Sequence, residues 1–189
     1  MKMRRFLTVT VGVLVLSVGL VLANYGGGVT PATAADITKD NHTLRWDTNN
    51  PSASRFTTAF PGAVLDKNTG LVWEKQPDAT GRVWGVAPGA ANLHCINREI
   101  GGTKGWRLPS IPELASLIDP SVAPPGPTLP AGHPFNVVSL VYWSASTLAD
   151  FPAGAWDVNF GSGLVETNGK ATNGFSAWCV RGPMQESVY

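Results

Sequence analysis

Cysteine, histidine and net charge are all scarce in this chain. Its 189 residues include two cysteines and three histidines, with 14 basic against 13 acidic side chains. Two cysteines without a C-x-x-C spacing give no signal of a thiolate metal cluster. The histidines, His42, His94 and His133, fall at no metal-ligand spacing. Near-balanced charge gives no basic face of the kind that binds nucleic acid in bulk. Nucleophile elbow, phosphate loop and metalloprotease helix are also missing. No catalytic constellation stands out, so the expectation is a protein that is not an enzyme.

Long apolar runs are absent too, apart from one at the start. Lys2, Arg4 and Arg5 precede an apolar run over 6–23, and small residues follow. That order describes a secretory signal peptide over 1–35, cleaved after Ala23 or within "ATAA" at 32–35. The alternative is an uncleaved anchor helix, because about 18 residues is near the lower limit for spanning a bilayer. Either reading exports the remainder, to the periplasm, the cell surface or the medium. The only membrane contact would be the leader. Removing 1–35 takes away three basic residues, leaving 14 − 3 = 11 against 13 acidic and a net charge of −2. In an oxidising compartment an even cysteine count reads as a disulfide, here Cys95–Cys179. The pair is 84 residues apart. Closing such a loop is worth roughly 4–5 kcal/mol in the chain-entropy model. A thiol pair for redox or metal chemistry is the rival reading.

What is plentiful is glycine, proline and tryptophan: 21, 15 and seven residues. Such a composition suits a loop-rich exported domain. Residues 36–60 are polar and without periodicity, a partly ordered lead-in. The domain follows over 61–182, with a short tail at 183–189. "AVLDKNTGLVWEK" (63–75) reads as a β-hairpin, with Val64, Leu71 and Trp73 as core positions. "PGAANLHCINREIGG" (88–102) reads as a helix that buries Leu93, Ile96 and Ile100 and stops at two glycines. On it, His94 reads as an ordinary histidine. In "WRLPSIPEL", Ser110 and Glu113 have capping-box spacing, and Pro112 sits in the first turn. A short second helix would then bury Leu114, Leu117 and Ile118. Six prolines between 120 and 134 make a long surface loop of polyproline character, a variable insertion or a ligand lid. The last third reads as strands at 137–147, 155–160 and 175–182, with a shorter one near 164–166. The fold class is α+β: two short helices packed on a small antiparallel sheet with long loops.

"TGLVWEK", the helix with Cys95, "GGTKGWRLPSIPEL", "YWSAS", "AWDVNF" and "WCVR" occur in the order of one bacterial family. Over about residues 61–182 the chain resembles the C-terminal domain family of the Legionella collagen-like protein, the Lcl C-terminal domain. The resemblance implies a C-type lectin-like fold and a ligand-binding role, adhesin-like, toward glycans or a cell-surface partner. The sequence departs from the family in Pro112, in "YWSAST" and in having no collagen-like repeat.

Binding of sugars uses aromatic faces flanked by polar groups. Trp73, Trp106, Trp143, Trp156 and Trp178 lie inside the shared motifs and read as core. Trp46 and Trp84 lie outside them and are the candidates for exposure. Lys104 and Arg107 have no structural role legible in the sequence and join them, as do Asp157 and Asn159. "WDVN" partly echoes a calcium-binding element of lectins. Calcium, if bound at all, would take Asp157, Asn159, Glu166 and Asn168 as oxygen ligands. Ser110, Glu113, Trp106, Trp143 and Trp156 are assigned to the scaffold. Partners in this reading are a glycan or an envelope protein, with self-association into a homo-oligomer also compatible. The alternatives are a domain related to formylglycine-generating enzymes, which needs reactive thiols or a metal, and a structural or protein-interaction component of the cell envelope.

Overall fold

The computed structural model describes residues 52–183. The leader and Trp46 lie outside the described residues. Within the lead-in, one helical turn, α1 (Ser52–Arg55), runs into β1 (Phe56–Phe60). Then come β2 (Ala63–Asp66), β3 (Val72–Glu74) and β4 (Asp78–Arg82). Two short helices follow, α2 (Ala91–Ile96) and α3 (Ile111–Ala115). The chain closes with β5 (Val141–Thr147), β6 (Gly154–Asn159), β7 (Leu164–Gly169), β8 (Phe175–Ala177) and β9 (Val180–Arg181). None of the described helices is long and apolar enough to cross a membrane.

The class is α+β, but the strands form two sheets where one was expected. The first has the order β1-β2-β3-β9 and is antiparallel. The second has the order β4-β8-β5-β6-β7 and is mixed, since β8 runs parallel to β5 through Tyr142 and Ser176. The single closing strand read at 175–182 is thus two strands in different sheets. Trp178 and Cys179 make the step between them, and both are fully buried.

That step organises the core. The Trp178 ring lies 5.7 Å from Trp73, 5.0 Å from Phe135, 5.2 Å from Tyr142 and 5.6 Å from Phe160. Its indole N–H donates to the Glu74 carbonyl at 2.9 Å. Val64, Leu71, Leu114 and Leu117 belong to the same cluster. A second cluster surrounds the Cys95–Cys179 disulfide and includes Trp106, Leu108, Trp143 and Ala155. Burial of this much aromatic surface is the main force holding the two sheets together.

The α2 stripe differs from the expected one. Ala91 and Cys95 are buried, whereas Ile96 is 55% exposed. The disulfide fixes which face turns inward and overrides the Leu93–Ile96–Ile100 spacing. The helix is also shorter than 88–102. Past it, Gly101 has φ +56°, and a Cβ there would fall 2.8 Å from the Pro61 carbonyl oxygen, so only glycine fits.

At α3 the capping box forms. The Ser110 N–H donates to Glu113 Oε2 at 2.8 Å, and the Ser110 side chain caps in return. Leu114, Leu117 and Ile118 are buried as expected. The proline-rich stretch is not a free flap. Gly126 N–H donates to the Gly161 carbonyl at 2.9 Å and Thr128 N–H to the Phe160 carbonyl at 2.8 Å. Leu129 then enters the main core. Docking of this loop on the β6–β7 end satisfies backbone groups that proline cannot.

Candidate functional site

The residues between β3 and α2 carried no periodic signal, yet they border a cavity. Glu74 ends β3, Asp78 and Arg82 stand at the two ends of β4, His94 lies in the last turn of α2, and Arg98 follows two residues past that helix. Together with Ile100 and Val138 they line a pocket of about 640 Å³. That volume is within the usual range for small-molecule sites.

Glu74 is anchored from both sides. Its N–H donates to the Cys179 carbonyl at 3.0 Å, and its carbonyl takes the Trp178 indole. The carboxylate is 1% exposed as a residue, and Oε1 accepts from Arg98 Nη2. Its Oε2 has no hydrogen-bond partner. Nor do two further buried atoms of the same pocket, His94 Nε2 and Arg98 Nε. Burial lowers the affinity of Arg98 for its proton, but a guanidinium stays charged at neutral pH.

Asp78 and Arg82 form the second ion pair, with Arg82 Nη2 at 2.5 Å and Nε at 3.2 Å from Oδ2. Thr80 donates to Oδ1 from its N–H at 3.1 Å and its hydroxyl at 2.9 Å. Burial pushes the Asp78 carboxyl up, but the bonds from Arg82 and Thr80 outweigh it and hold the group below the usual carboxylate value. His94 is driven the other way. Burial and the Arg82 charge lower its pKa against the pull of Asp78, whose Oδ2 is 3.8 Å from Nε2. At neutral pH the imidazole is therefore uncharged. Each of the two carboxylates is paired directly with a guanidinium beside the cavity, and their charges balance.

The residues picked out in the sequence lie elsewhere, and several have structural work. Arg107 is not spare: its guanidinium grips Glu113 at 2.7 and 2.6 Å and donates to the Gly182 carbonyl at 2.7 Å. Burial raises the Glu113 carboxyl, and the bonds from Arg107 and Ser110 more than reverse that. Lys104 is exposed, 3.4 Å from Glu99. Trp84 is no open platform. It is half-buried, its indole N–H donates to the Ser144 carbonyl at 2.7 Å, and the Lys170 ammonium covers its ring at 4.1 Å. Trp106 and Trp143 are buried in the core, whereas Trp156 is half-buried and belongs to neither cluster.

The four residues considered for calcium are partly gathered on the β6–β7 pair. Asp157 stands opposite Glu166, and Asp157 Oδ2 accepts from Asn168 Nδ2 at 2.9 Å. Asn159 is occupied elsewhere, accepting the Gly161 N–H at 2.9 Å. Among the described residues no group of three or more His, Cys, Asp or Glu side chains is arranged to hold a metal. Asp157 is fully buried and its Oδ1 is unpartnered. Burial and the facing Glu166 raise its pKa above 3.8, against the bond from Asn168. A raised pKa means stability present below about 3.8 and lost as pH rises through the folded value. Asp157→Asn removes that charge and offers Glu166 a donor. We expect it to stabilise the protein by about 1 kcal/mol at pH 7. Melting curves should show a gain of about 2–4 °C that shrinks toward pH 4. A loss at pH 7 would contradict this account of the site.

Sequence reading missed the pocket because its members come from separated segments. The one local signal was the four-residue spacing of His94 and Arg98, which on a continuous helix puts both on one side. Residues 62–181 match the family model of the Lcl C-terminal domain. No curated protein matches the sequence. With well over half of its length matched, the chain belongs to the Lcl C-terminal domain family.

Proposed function

We propose that this chain is an exported, non-catalytic binding domain of the bacterial cell surface, and that it holds a glycan in the pocket between β3, β4 and α2. The observation that carries the reading is that three residues lining one cavity, Glu74, His94 and Arg98, each hold a buried polar atom without a partner: Oε2, Nε2 and Nε. An unmade bond at a buried polar atom costs about 1–3 kcal/mol. A ligand rich in hydroxyls supplies what all three lack. Family membership supports a surface-associated role, and the link from α2 to the β8–β9 step suits a C-type lectin-like plan. Against the thiol-dependent alternative stands the disulfide, which uses both cysteines.

Purified protein on a glycan array should bind a defined set of saccharides. The reading needs no calcium, so the set should be the same in EDTA and in millimolar calcium. Absence of binding in both conditions would contradict it, and binding only with calcium would move the site to the β6–β7 residues.

A further inference from the structure

We infer that the pocket is built for an uncharged polyol, the hydroxyl groups of a neutral sugar residue, rather than for an anionic one. The inference rests on the glycan reading above and names the class of glycan. Three features of the pocket carry it.

The first is the mix of unmet needs. Glu74 Oε2 can only accept, and Arg98 Nε–H can only donate. His94 Nε2 does either, according to tautomer. A sulfate or carboxylate accepts only. It would satisfy Arg98 while facing Glu74 with like charge. An ammonium donates only and fails at Arg98. A hydroxyl both donates and accepts, so one or two adjacent hydroxyls meet the carboxylate and the guanidinium together.

The second feature is the charge balance. Arg98 is paired with Glu74, and Arg82 with Asp78. An anion would have to compete with a carboxylate already bonded to each guanidinium. A neutral ligand leaves both pairs intact and uses them as fixed dipoles.

The third is what lines the cavity. Among the described residues no Phe, Tyr or Trp borders it, and its apolar wall comes from Ile100, Val138 and Pro77. A sugar ring therefore cannot be held face-on by stacking. It must be read by its edge, through hydroxyls.

The test is a titration of the ¹⁵N-labelled protein with methyl glycosides of glucose, galactose and mannose, and separately with a sulfated oligosaccharide. Saturable shifts of the Arg98 Nε–H resonance by at least one neutral glycoside are expected. Affinity should change less than about twofold between about 50 and about 500 mM NaCl, because screening acts on net charge. Glu74→Gln should weaken binding about tenfold, the loss of one charge-assisted bond. Should Glu74→Gln impair folding, Arg98→Lys keeps a cation for Glu74, removes the Nε–H and should give a similar loss. Binding of the sulfated oligosaccharide alone, steeply weakened by salt and indifferent to both variants, would overturn the inference and leave the glycan reading standing. No saccharide bound at all would overturn both.

Discussion

Replacing Cys95 and Cys179 together by alanine should lower the stability of this protein by about 4 kcal/mol in urea unfolding. For a chain of this size that corresponds to a fall of about 8–16 °C in Tm. The physical reason is loop length. The bond joins residues 84 apart, and without it the unfolded chain regains the freedom of that whole loop. The native state loses as well. Both cysteines are fully buried in the second cluster with Trp106, Trp143 and Ala155, where missing sulfurs leave space. Cys95 also sets the inward face of α2, which carries His94, with Arg98 two residues past its end. The double variant should therefore weaken ligand binding as well as stability. A shift in Tm under about 2 °C would show that packing alone holds α2 in place.

Asp66→Ala should be nearly as costly, about 3–5 kcal/mol. Arg55 and Asp66 are both fully buried, and the guanidinium meets the carboxylate at 2.9 and 2.8 Å. The same carboxylate accepts the Asn68 N–H at 3.0 Å and the Thr69 hydroxyl at 2.8 Å, which closes the β2–β3 turn. Arg55 reaches further, to the Ser116 carbonyl at 2.8 Å. Removing Asp66 takes away the carboxylate that holds two N–H groups of the buried Arg55 guanidinium and leaves the β2–β3 turn without its acceptor. Chemical denaturation would measure the loss. A change below about 1 kcal/mol would mean that water reaches Arg55, contrary to its burial.

Arg55 shows where the sequence stops being legible. It precedes the matched segment and sits in a stretch without periodicity, so nothing local marked it as core. Its partner on β2 is 11 residues away, and Ser116 is 61 residues away. The features read correctly were local ones. The 63–75 hairpin has alternating apolar residues around a turn, and the Ser110–Glu113 cap depends only on a three-residue spacing. Trp73, Trp106, Trp143 and Trp178, inside the shared motifs, were also legible as core, whereas Trp156 is only half-buried.

What was missed depended on contacts distant in sequence. β4 is polar along its length and was invisible to periodicity, and it is held by pairing with β8. The closing strand was read as one because its residues suit a strand throughout. Its division between two sheets is imposed by Trp178 and Cys179. Arg107 was left without a role because its partners, Glu113 and the Gly182 carbonyl, come together only in the folded chain. The pocket belongs to the same class. Glu74 lay inside a motif read as scaffold, and its free oxygen becomes evident only when Arg98 and His94 are brought beside it.

The most direct measurement is a crystal structure of the protein with the saccharide that it binds best on an array. The account predicts a sugar residue in the β3–β4–α2 pocket, with a hydroxyl within hydrogen-bond distance of both Glu74 Oε2 and Arg98 Nε. A sugar bound instead at the exposed Phe151 beside Asn168, or on the β6–β7 loops, with the pocket vacant, would contradict it.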